Sequence, residues 1–597
     1  MTIDQLKNLD TSKFTKAADA WSAVSNRAGA ARGRVDSEML AKLNATQKGD
    51  AATAATADLA RLGRNYQYIQ VECGLIRTAL DGLAEELTAP QRKLKQALED
   101  AQELKFTVKP DGSVEYPRAS FATLPAPAQQ QPARFGDASF LTKAADPNQA
   151  KAQEIAARIG QALQEASEID GRYARVLEKL KADPDLNKTD WSDIAQDAEG
   201  VRGANRCFSG AKIPKDKSPK ENAEWWKSLS QAERDEYAVL YPASIGKMDG
   251  LPSDVRDEAN RIVLAETRLK VERELREAEA NPPQSAPRYN PITGLPIQGG
   301  GAWEKWECRK KELQGQIAGM NMIQKRFDAT GAEGLPDAYL LGFDAEKLGR
   351  VIIANGNPDT AEHTAVYVPG TTARLSDSEK EMDKMAALWR ESRGMPGNPS
   401  VSTITWIGYD APQSAYPGHN GDLLPEAAST SYADKAAPGL SKFLSGVQTA
   451  QGGPEGSHTT VIGHSYGTTV VGDTSMKHGL GADDVIAVAS PGMLVGHAKE
   501  LDAPEGHVWS EAASFGKDQV AAGGKLVGLG GGSPSSPFFT DPVGHILASR
   551  VPSDRNFGAN IMQTDSNDHG GYWKDDSVSL TNQAAVVTKN YGVVKRD

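Results

Sequence analysis

Cysteine is scarce in this sequence of 597 residues, and its three cysteines, Cys73, Cys207 and Cys308, lie far apart. The sequence contains no Cys-x-x-Cys pair and no cluster of cysteines with histidines. This spacing excludes a disulfide framework and a structural zinc site of the usual patterns. We expect three thiols without a chemical role.

Long apolar runs and an excess of positive charge are also missing. No stretch of about 18 apolar residues occurs, so the sequence predicts no transmembrane helix. The N-terminal MTIDQLKNLDTSKF lacks the basic and apolar segments of a classical signal peptide. The net charge of −12 disfavours nucleic acid as a partner, because its phosphates would be repelled. Two locations stay open: the cytoplasm, or secretion without a cleaved signal peptide.

Changes in composition divide the chain into four predicted parts, of which the first two are small. Residues 1–105 are rich in good helix formers with apolar residues at helical spacing, and they predict a helical hairpin-like region. A break is predicted at residues 88–91, where Pro90 would begin the next helix. Residues 106–148 contain a predicted β-hairpin around a Pro-Asp-Gly turn and a Pro/Gln-rich linker at 124–133.

The third and fourth parts are a second helical region over residues 149–335 and an α/β domain over residues 336–597. In the helical region, Ser230 and Glu233 have the spacing of a capping box, which marks a helix start. The adjacent Trp225 and Trp226 are typical either of a carbohydrate platform or of packing against a neighbouring element, and we expect packing.

Short apolar runs alternate with helical patterns after residue 336. The runs are AYLLGF, RVIIA, TAVYV, STITWI, HTTVI, DVIAVA and HVWSEA. Several are nearly continuous in β-branched residues, as strands buried on both faces are. Strands that alternate with helices predict a mostly parallel sheet covered by helices on both faces. The predicted fold class is therefore a helical N-terminal region followed by an α/β domain with a mostly parallel sheet.

Ser465 lies in the sequence Gly-His-Ser-Tyr-Gly at residues 463–467. The bare G-x-S-x-G pattern is weak, but here it follows the strand HTTVI directly and opens a helical run. A strand, a sharp turn that carries serine and then a helix form a nucleophile elbow. This context predicts that Ser465 is the nucleophile of a hydrolase.

The oxyanion hole of such an enzyme combines two backbone amides. One comes from the residue after the nucleophile, which is Tyr466, and the other from a loop after an earlier strand. The loop Val-Pro-Gly-Thr-Thr at residues 368–372 closes the strand TAVYV. We therefore expect the amides of Thr371 and Tyr466 to form the oxyanion hole.

The catalytic base and acid must follow Ser465 in the chain, in the order acid and then base. His569 is the predicted base because it lies in a polar, glycine-containing loop near the end, and His545 is the alternative. The acid candidates are Asp518, Asp541 and Asp565. Counting strands forward from the elbow places the acid loop at residues 514–519, where Asp518 is the only acid, so we predict Asp518.

Five segments of the sequence resemble an actinobacterial α/β-hydrolase family catalogued as a domain of unknown function. They are AVYVPGTTA at 365–373, ITWIGYDAP at 404–412, VIGHSYG at 461–467, DHGGYW at 568–573, and the stretch from WWKSLSQAERDEY to DVRDEANR at 225–261. The resemblance implies a helical N-terminal region joined to a lipase-like domain. It also implies a triad of Ser465, an aspartate and His569, and an esterase or lipase activity.

The first 105 residues loosely resemble the helical hairpins that type VII secretion systems export. Trp21 stands where those proteins have Trp-x-Gly, but Ser22 and Ala23 follow it. Tyr68 and Glu72 fit the tyrosine–acid spacing of the export signal. This resemblance implies type VII-like export as one route of secretion.

These observations predict a serine hydrolase that cleaves a carboxylic ester through an acyl-enzyme, without a cofactor or a metal. The expected substrate is a small-molecule or lipid ester. An amidase or peptidase with the same triad stays an alternative, because the same residues serve both bonds. A secreted interaction protein that uses the domain as a scaffold is a second alternative. The helical region is a candidate surface for a protein partner or for homo-oligomers.

Overall fold

The computed structural model describes residues 1–117, 147–180, 191–283, 288–289, 296–298, 300–416, 424–532, 543–544 and 548–597. The α-helices of these residues are α1 (Ile3–Lys7), α2 (Ser12–Arg34), α3 (Ala41–Thr46), α4 (Asp50–Glu103), α5 (Pro147–Leu177), α6 (Trp191–Ala204), α7 (Pro219–Ser228), α8 (Gln231–Leu240), α9 (Pro242–Ile245), α10 (Ser253–Ala280), α11 (Gly300–Asp328), α12 (Ser378–Arg393), α13 (Ser431–Ala450), α14 (Tyr466–Lys477), α15 (Val520–Val527) and α16 (Val578–Val587). A π-helix, Val35–Leu40, joins α2 to α3.

Capping boxes start two of the helices in the second helical region. Ser230 and Glu233 form the predicted box at the start of α8. A second box, Ser218 with Glu221, starts α7 and was not predicted. The tryptophans of α7 pack as expected, since Trp226 is buried and the ring of Trp225 contacts Tyr237 edge-on at 5.3 Å.

The break predicted at residues 88–91 is wrong, because α4 continues through Pro90. Proline inside a helix removes one hydrogen bond and costs about 3 kcal/mol. Buried Leu83, Leu87 and Leu94 continue the apolar face on both sides of Pro90. Burial of this continuous face offsets the local cost of the proline.

The predicted β-hairpin is present as β1 (Thr107–Val108) paired antiparallel with β2 (Val114–Glu115). The Pro/Gln-rich linker at 124–133 lies outside the described residues. The remaining strands are β3 (Arg288–Tyr289), β4 (Pro296–Gln298), β5 (Ala338–Asp344), β6 (Arg350–Asn355), β7 (His363–Val368), β8 (Val401–Ile407), β9 (His458–His464), β10 (Asp484–Val488), β11 (Val508–Glu511) and β12 (Asn560–Ile561).

The last eight of these strands form one mixed sheet in the order β12-β11-β10-β9-β7-β8-β6-β5. In this order, the first six strands, which end with β8, are parallel to one another. Strand β6 is antiparallel to β8, and β5 is antiparallel to β6. Every residue of β8, β9, β10 and β11 is buried, which explains their nearly continuous apolar and β-branched sequences. The mostly parallel sheet is confirmed.

Helices cover both faces of this sheet. On one face, Val366, Val461 and Val485 share a core with helices α10, α11, α13 and α14. On the other face, Ile462 and Ile486 share a core with helices α12 and α16. Helices α10 and α11, which precede residue 336, are therefore part of the core of the sheet domain, although the predicted domain boundaries stay predictions.

Helix α10 also closes the free edge of β5 with polar side chains. Asp257 accepts a hydrogen bond from the amide of Leu340 at 2.7 Å, and Asn260 donates to the carbonyl of the same residue at 2.9 Å. Arg256 and Arg261 donate to two further carbonyls of the strand. These edge groups are thereby satisfied and cannot pair with another chain. All four side chains lie in the DVRDEANR segment of the family resemblance.

The chain forms two compact units. The first comprises Met1–Arg27, Ile69–Pro184 and Gln196–Lys212, and the second comprises Ala28–Tyr68, Asp185–Ala195 and Ile213–Asp597. In the first unit, Tyr173 is buried between helices and donates a hydrogen bond to Glu86 at 2.7 Å. The second unit contains the sheet. None of the helices among the described residues has the length and apolar character that a membrane crossing requires.

Candidate active site

Ser465 occupies a sharp turn between β9 and α14. Its backbone is strained, with φ 53° and ψ −130°, a conformation that side chains rarely adopt. A Cβ atom at Gly463 would lie 2.7 Å from Thr468 Cα, and one at Gly467 would lie 2.0 Å from the carbonyl oxygen of Val368. Both glycines are therefore required for the turn to pass this close to its neighbours.

The loop after β7 lies directly against this turn. A Cβ atom at Gly370 would come within 2.9 Å of the amide nitrogen of Tyr466. The hydroxyl of Tyr409 donates to the carbonyl of Pro369 at 2.7 Å, and the amide of Thr372 donates to Pro412 at 2.8 Å, so the loop is held in place. Among the described residues, no acceptor is bonded to the amide of Thr371 or of Tyr466. Both amides are thus without a backbone or side-chain acceptor in this part of the chain.

Asp518 lies in the loop after β11, and His569 lies in the loop between β12 and α16. The fold brings their side chains together. Nδ1 of His569 lies 2.9 Å from Oδ2 of Asp518. The carboxylate also accepts bonds from the amide of Val520 at 3.0 Å and from the hydroxyl of Tyr572 at 3.2 Å. Although burial acts to raise the pKa of Asp518, the hydrogen bonds from His569 and Val520 hold it below its usual value. An ionised Asp518 keeps the proton of His569 on Nδ1 and leaves Nε2 free to accept one.

The elbow and the His569 loop meet through His464. The rings of His464 and His569 lie 4.8 Å apart between centroids, and Nε2 of His464 donates to the carbonyl oxygen of His569 at 2.9 Å. The hydroxyl of Ser465 makes no hydrogen bond to the described residues. Such a bond often closes only when substrate is bound.

His464 stays neutral in this position. Burial holds the pKa of His464 well below its usual value, and the positive charge of Lys384 lowers it further. Lys384 lies over the ring of Trp573, 4.9 Å from its centroid, and Trp573 packs edge-on against His464 at 5.0 Å. A neutral His464 with its proton on Nε2 is the form that can hold the carbonyl of His569.

Asp565, the other acid candidate among the described residues, does not join this group. Asp565 accepts hydrogen bonds from the amides of Val578 and Ser579 at the start of α16. Asp541 and His545 lie outside the described residues. No group of histidine, cysteine, aspartate and glutamate side chains in the described ranges is arranged to hold a metal ion.

Two residues of the site were missed by sequence reasoning. His464 is the variable position of the G-x-S-x-G pattern, and Tyr572 lies in the DHGGYW segment next to the predicted base. Tyr572 accepts a bond from the amide of Ala513 at 2.8 Å and donates to Asp518, so it joins the two loops that carry the pair. The sequence signal for Tyr572 was its position in the DHGGYW segment, which also contains the predicted base.

Comparison with known proteins agrees with this architecture. Residues 344–526 match a family model described as alpha/beta hydrolase, a segment that contains Thr371, Ser465 and Asp518 and ends before His569. The chain therefore has a C-terminal α/β-hydrolase domain, as the resemblance implied.

The curated relatives are mycobacterial proteins, which agrees with the actinobacterial resemblance. An uncharacterized protein of Mycobacterium tuberculosis is 27% identical over 394 residues, covering 61% of this chain and 54% of the relative. An uncharacterized protein of Mycobacterium bovis is 31% identical over 184 residues, covering 29% of this chain and 65% of the relative. The chain thus spans about half the length of the first of these relatives.

Proposed function

We propose that the chain is a serine hydrolase that cleaves a carboxylic ester through an acyl-enzyme. The observation that carries the proposal is the hydrogen bond between His569 and Asp518 beside the strained turn of Ser465. A nucleophile, a base and an acid that orients the base are the groups that acyl transfer requires.

In the proposed reaction, Nε2 of His569 takes the proton from Ser465 as the hydroxyl oxygen attacks the ester carbonyl. The amides of Thr371 and Tyr466 donate to the oxyanion, which is a large stabilising contribution in this class of reaction. His569 then gives the proton to the leaving alcohol, and the acyl group stays on Ser465. Water, activated by the same histidine, releases the acid. Asp518 stabilises the imidazolium in both steps.

Apolar side chains at the carboxyl edge of the sheet support an ester with an apolar part. Tyr416 and Leu424 follow β8 and are 81% and 61% exposed, and Phe515, in the acid loop after β11, is 68% exposed. Loops that leave this edge surround the nucleophile in a parallel sheet domain. Exposed apolar residues that recur in these loops favour a lipid ester or another ester with an alkyl group.

The test is labelling with a fluorophosphonate probe, together with hydrolysis of p-nitrophenyl esters of increasing chain length. The unsubstituted chain should be labelled and should hydrolyse the esters, whereas Ser465→Ala should lose both properties and keep its circular dichroism spectrum. The matched control is Ser514→Ala, since Ser514 is an exposed serine of the acid loop. Labelling that persists in Ser465→Ala would contradict the proposal.

A matched pair of ester and anilide substrates separates the esterase from the amidase or peptidase. We expect the ester to be cleaved at least tenfold faster than the anilide that carries the same acyl chain. Faster anilide cleavage that depends on Ser465 would assign the amidase. A folded chain with an inert Ser465 would instead favour the scaffold alternative.

The four-part division of the chain also stays a proposal, as do the roles of its helical regions. We propose that residues 1–335 determine access, partners or homo-oligomers, and that the chain is either cytoplasmic or exported by a type VII-like route. Comparing culture filtrate with cell lysate for the tagged full-length chain would distinguish the two locations.

A further inference from the structure

A cavity of about 510 Å³ lies within the second unit, between the first half of α4 and helices α10 and α11. The loops that carry Ser465, Asp518 and His569 contribute no residue to its walls. The cavity therefore belongs to no part of the proposed reaction. Its lining contains both polar and apolar side chains.

Basic side chains outnumber acidic ones in the lining of this cavity, although the whole chain carries a net charge of −12. Five basic side chains line it against three acidic ones. Two of the basic side chains, Arg261 and Lys325, pair with carboxylates outside the lining. The acidic groups are already used by the protein: Glu272 pairs with Arg268 at 3.1 Å, and Asp328 accepts a hydrogen bond from Gln324 at 2.7 Å. Within the part of the chain that the structure describes, Asp36 has two long ion pairs, 3.8 Å to Arg32 and 4.0 Å to Arg261.

Three donors that line the cavity have no acceptor among the described residues. Arg64 forms no hydrogen bond or ion pair with the described residues, although it is half-buried. Gln67 is 7% exposed, and its Nε2 atom is buried without a partner. The buried Nη1 atom of Arg32 is also without a partner. Buried donors that are left unpaired are costly, so the two buried atoms, together with the unpaired guanidinium of Arg64, indicate a ligand that accepts hydrogen bonds.

The charges around Arg64 also favour a ligand, and specifically an anion. Burial lowers the pKa of Arg64, the charge of Asp328 opposes this, and the positive charges of Arg268 and Arg61 lower it further. A half-buried guanidinium beside another arginine is stabilised by an anion. Carboxylate and phosphate match the planar fork of a guanidinium better than other anions do.

The backbone around the cavity is also unusual. The π-helix Val35–Leu40 supplies Asp36 and Leu40 to its wall, and π-helical turns are frequent at functional sites. Gly63 lets α4 approach this turn, since a Cβ atom there would lie 2.7 Å from Oδ1 of Asp36. The lining also includes apolar side chains, among them Leu264 and Phe327.

We propose that this cavity is a binding site for an amphiphilic oxyanion, a carboxylate or a phosphate monoester that carries a short alkyl group. Arg64, Arg32 and Gln67 donate to the oxyanion. The alkyl group lies on Leu264, Phe327 and their apolar neighbours. The size of the cavity admits a ligand of this kind, and no step of the proposed hydrolysis is needed for it to bind.

The test measures thermal unfolding and titration calorimetry of the full chain with octanoate, octyl phosphate and octanol. Octanoate, octyl phosphate or both should raise the Tm by about 2 °C or more at saturation, and octanol should not. A larger effect of octyl phosphate assigns a phosphate ester, and a larger effect of octanoate assigns a carboxylate.

Arg64→Gln should abolish this ligand-induced rise in Tm, and the Tm without ligand should stay equal or increase, because a charge without an ion pair is removed. Arg61→Gln is the matched control: Arg61 lies one turn away, is exposed and pairs with Asp58 at 2.8 Å, and its variant should bind like the unsubstituted chain. Gln67→Leu, which keeps the charge, should weaken binding about tenfold.

The proposal is overturned if neither anion raises the Tm of the unsubstituted chain, or if Arg64→Gln responds to the anions equally. It is also overturned if octanol binds as tightly as the anions. A Tm of the ligand-free Arg64→Gln chain that falls by several degrees would assign Arg64 a structural role instead.

Discussion

Nε2 of His464 donates a hydrogen bond to the backbone carbonyl oxygen of His569 at 2.9 Å, although the two residues lie 105 positions apart in the chain. One belongs to the turn that carries Ser465, and the other is the proposed base. The bond therefore fixes the distance between the nucleophile and the loop of the base. This makes His464 a positioning residue in the proposed reaction.

Loss of the His464 side chain should reduce turnover more than substrate binding. His464→Ala is expected to lower kcat about 100-fold, the typical cost of a misplaced catalytic group, with a small change in KM. His464→Gln, which keeps a donor, should recover part of kcat. Esterase kinetics on both variants check this prediction. Equal losses in the two variants would show that the donor is not what matters.

Because of His464, the free energy of unfolding of the chain should decrease at acidic pH. The pKa of His464 is held well below its usual value in the folded chain, mainly by burial. The unfolded chain therefore takes up a proton near pH 6.5 that the folded chain does not bind. The free energy of unfolding should fall below that pH by at most about 1.4 kcal/mol per pH unit from this group. Denaturant unfolding at pH 5 to 8 should give a smaller pH dependence for His464→Phe than for the unsubstituted chain.

Removal of the carboxylate that pairs with His569 should impair catalysis severely. Asp518→Asn is expected to keep the fold and to lower kcat roughly a thousandfold or more, because the histidine loses its required tautomer. The control is Asp565→Asn, since Asp565 bonds to the amides at the start of α16. A near-normal rate in Asp518→Asn with a large loss in Asp541→Asn would transfer the role to Asp541.

The turn of Ser465 should not accept a methyl group at residue 467. In Gly467→Ala the new carbon would lie 2.0 Å from the carbonyl oxygen of Val368, so the turn and the β7 loop must move apart. We expect fluorophosphonate labelling to slow at least 100-fold and the protein to lose about 1–3 kcal/mol of stability. Gly516→Ala, in the acid loop, meets no atom within 4 Å and should change neither. Labelling of Gly467→Ala at the normal rate would contradict the strained-turn description.

The sheet domain should not be soluble without the helices that precede it. A chain that begins at Pro336 lacks α10 and α11 and exposes the face and edge that they cover. We expect it to aggregate, which size-exclusion chromatography of the soluble fraction would detect. In the full chain, Asn260→Leu should cost about 1–3 kcal/mol, because the carbonyl of Leu340 loses its donor. A soluble, monomeric and fully active chain from Pro336 would contradict this prediction.

The sheet could be predicted from sequence because its strands are buried on both faces. Continuous β-branched runs such as β9 differ clearly from the helical spacing of α14, and the change of period locates the turn of Ser465. The count of strands that selected Asp518 also led to the residue that the structure pairs with His569. Its catalytic role stays a prediction.

Features that depend on tertiary packing could not be predicted. The continuation of α4 through Pro90 follows from burial of one helix face, which outweighs the local preference of proline. The bond from His464 to His569 joins residues that are distant in sequence. The arginines around the cavity likewise come from separate parts of the chain. A single sequence carries no signal for such pairs, because each residue alone is compatible with an ordinary surface position.

The polar contacts of α10 with β5 have a consequence for synthesis on the ribosome. Chains grow from the N-terminus, so α10 emerges before β5 exists. Asp257 and Asn260 are thus already made when the strand that they close is translated. A nascent chain that reaches Asp344 has the covering helix for its new edge within itself, and the strand has an intramolecular partner before it meets another polypeptide. The order of the elements along the gene thereby acts against strand exchange between neighbouring chains on a polysome.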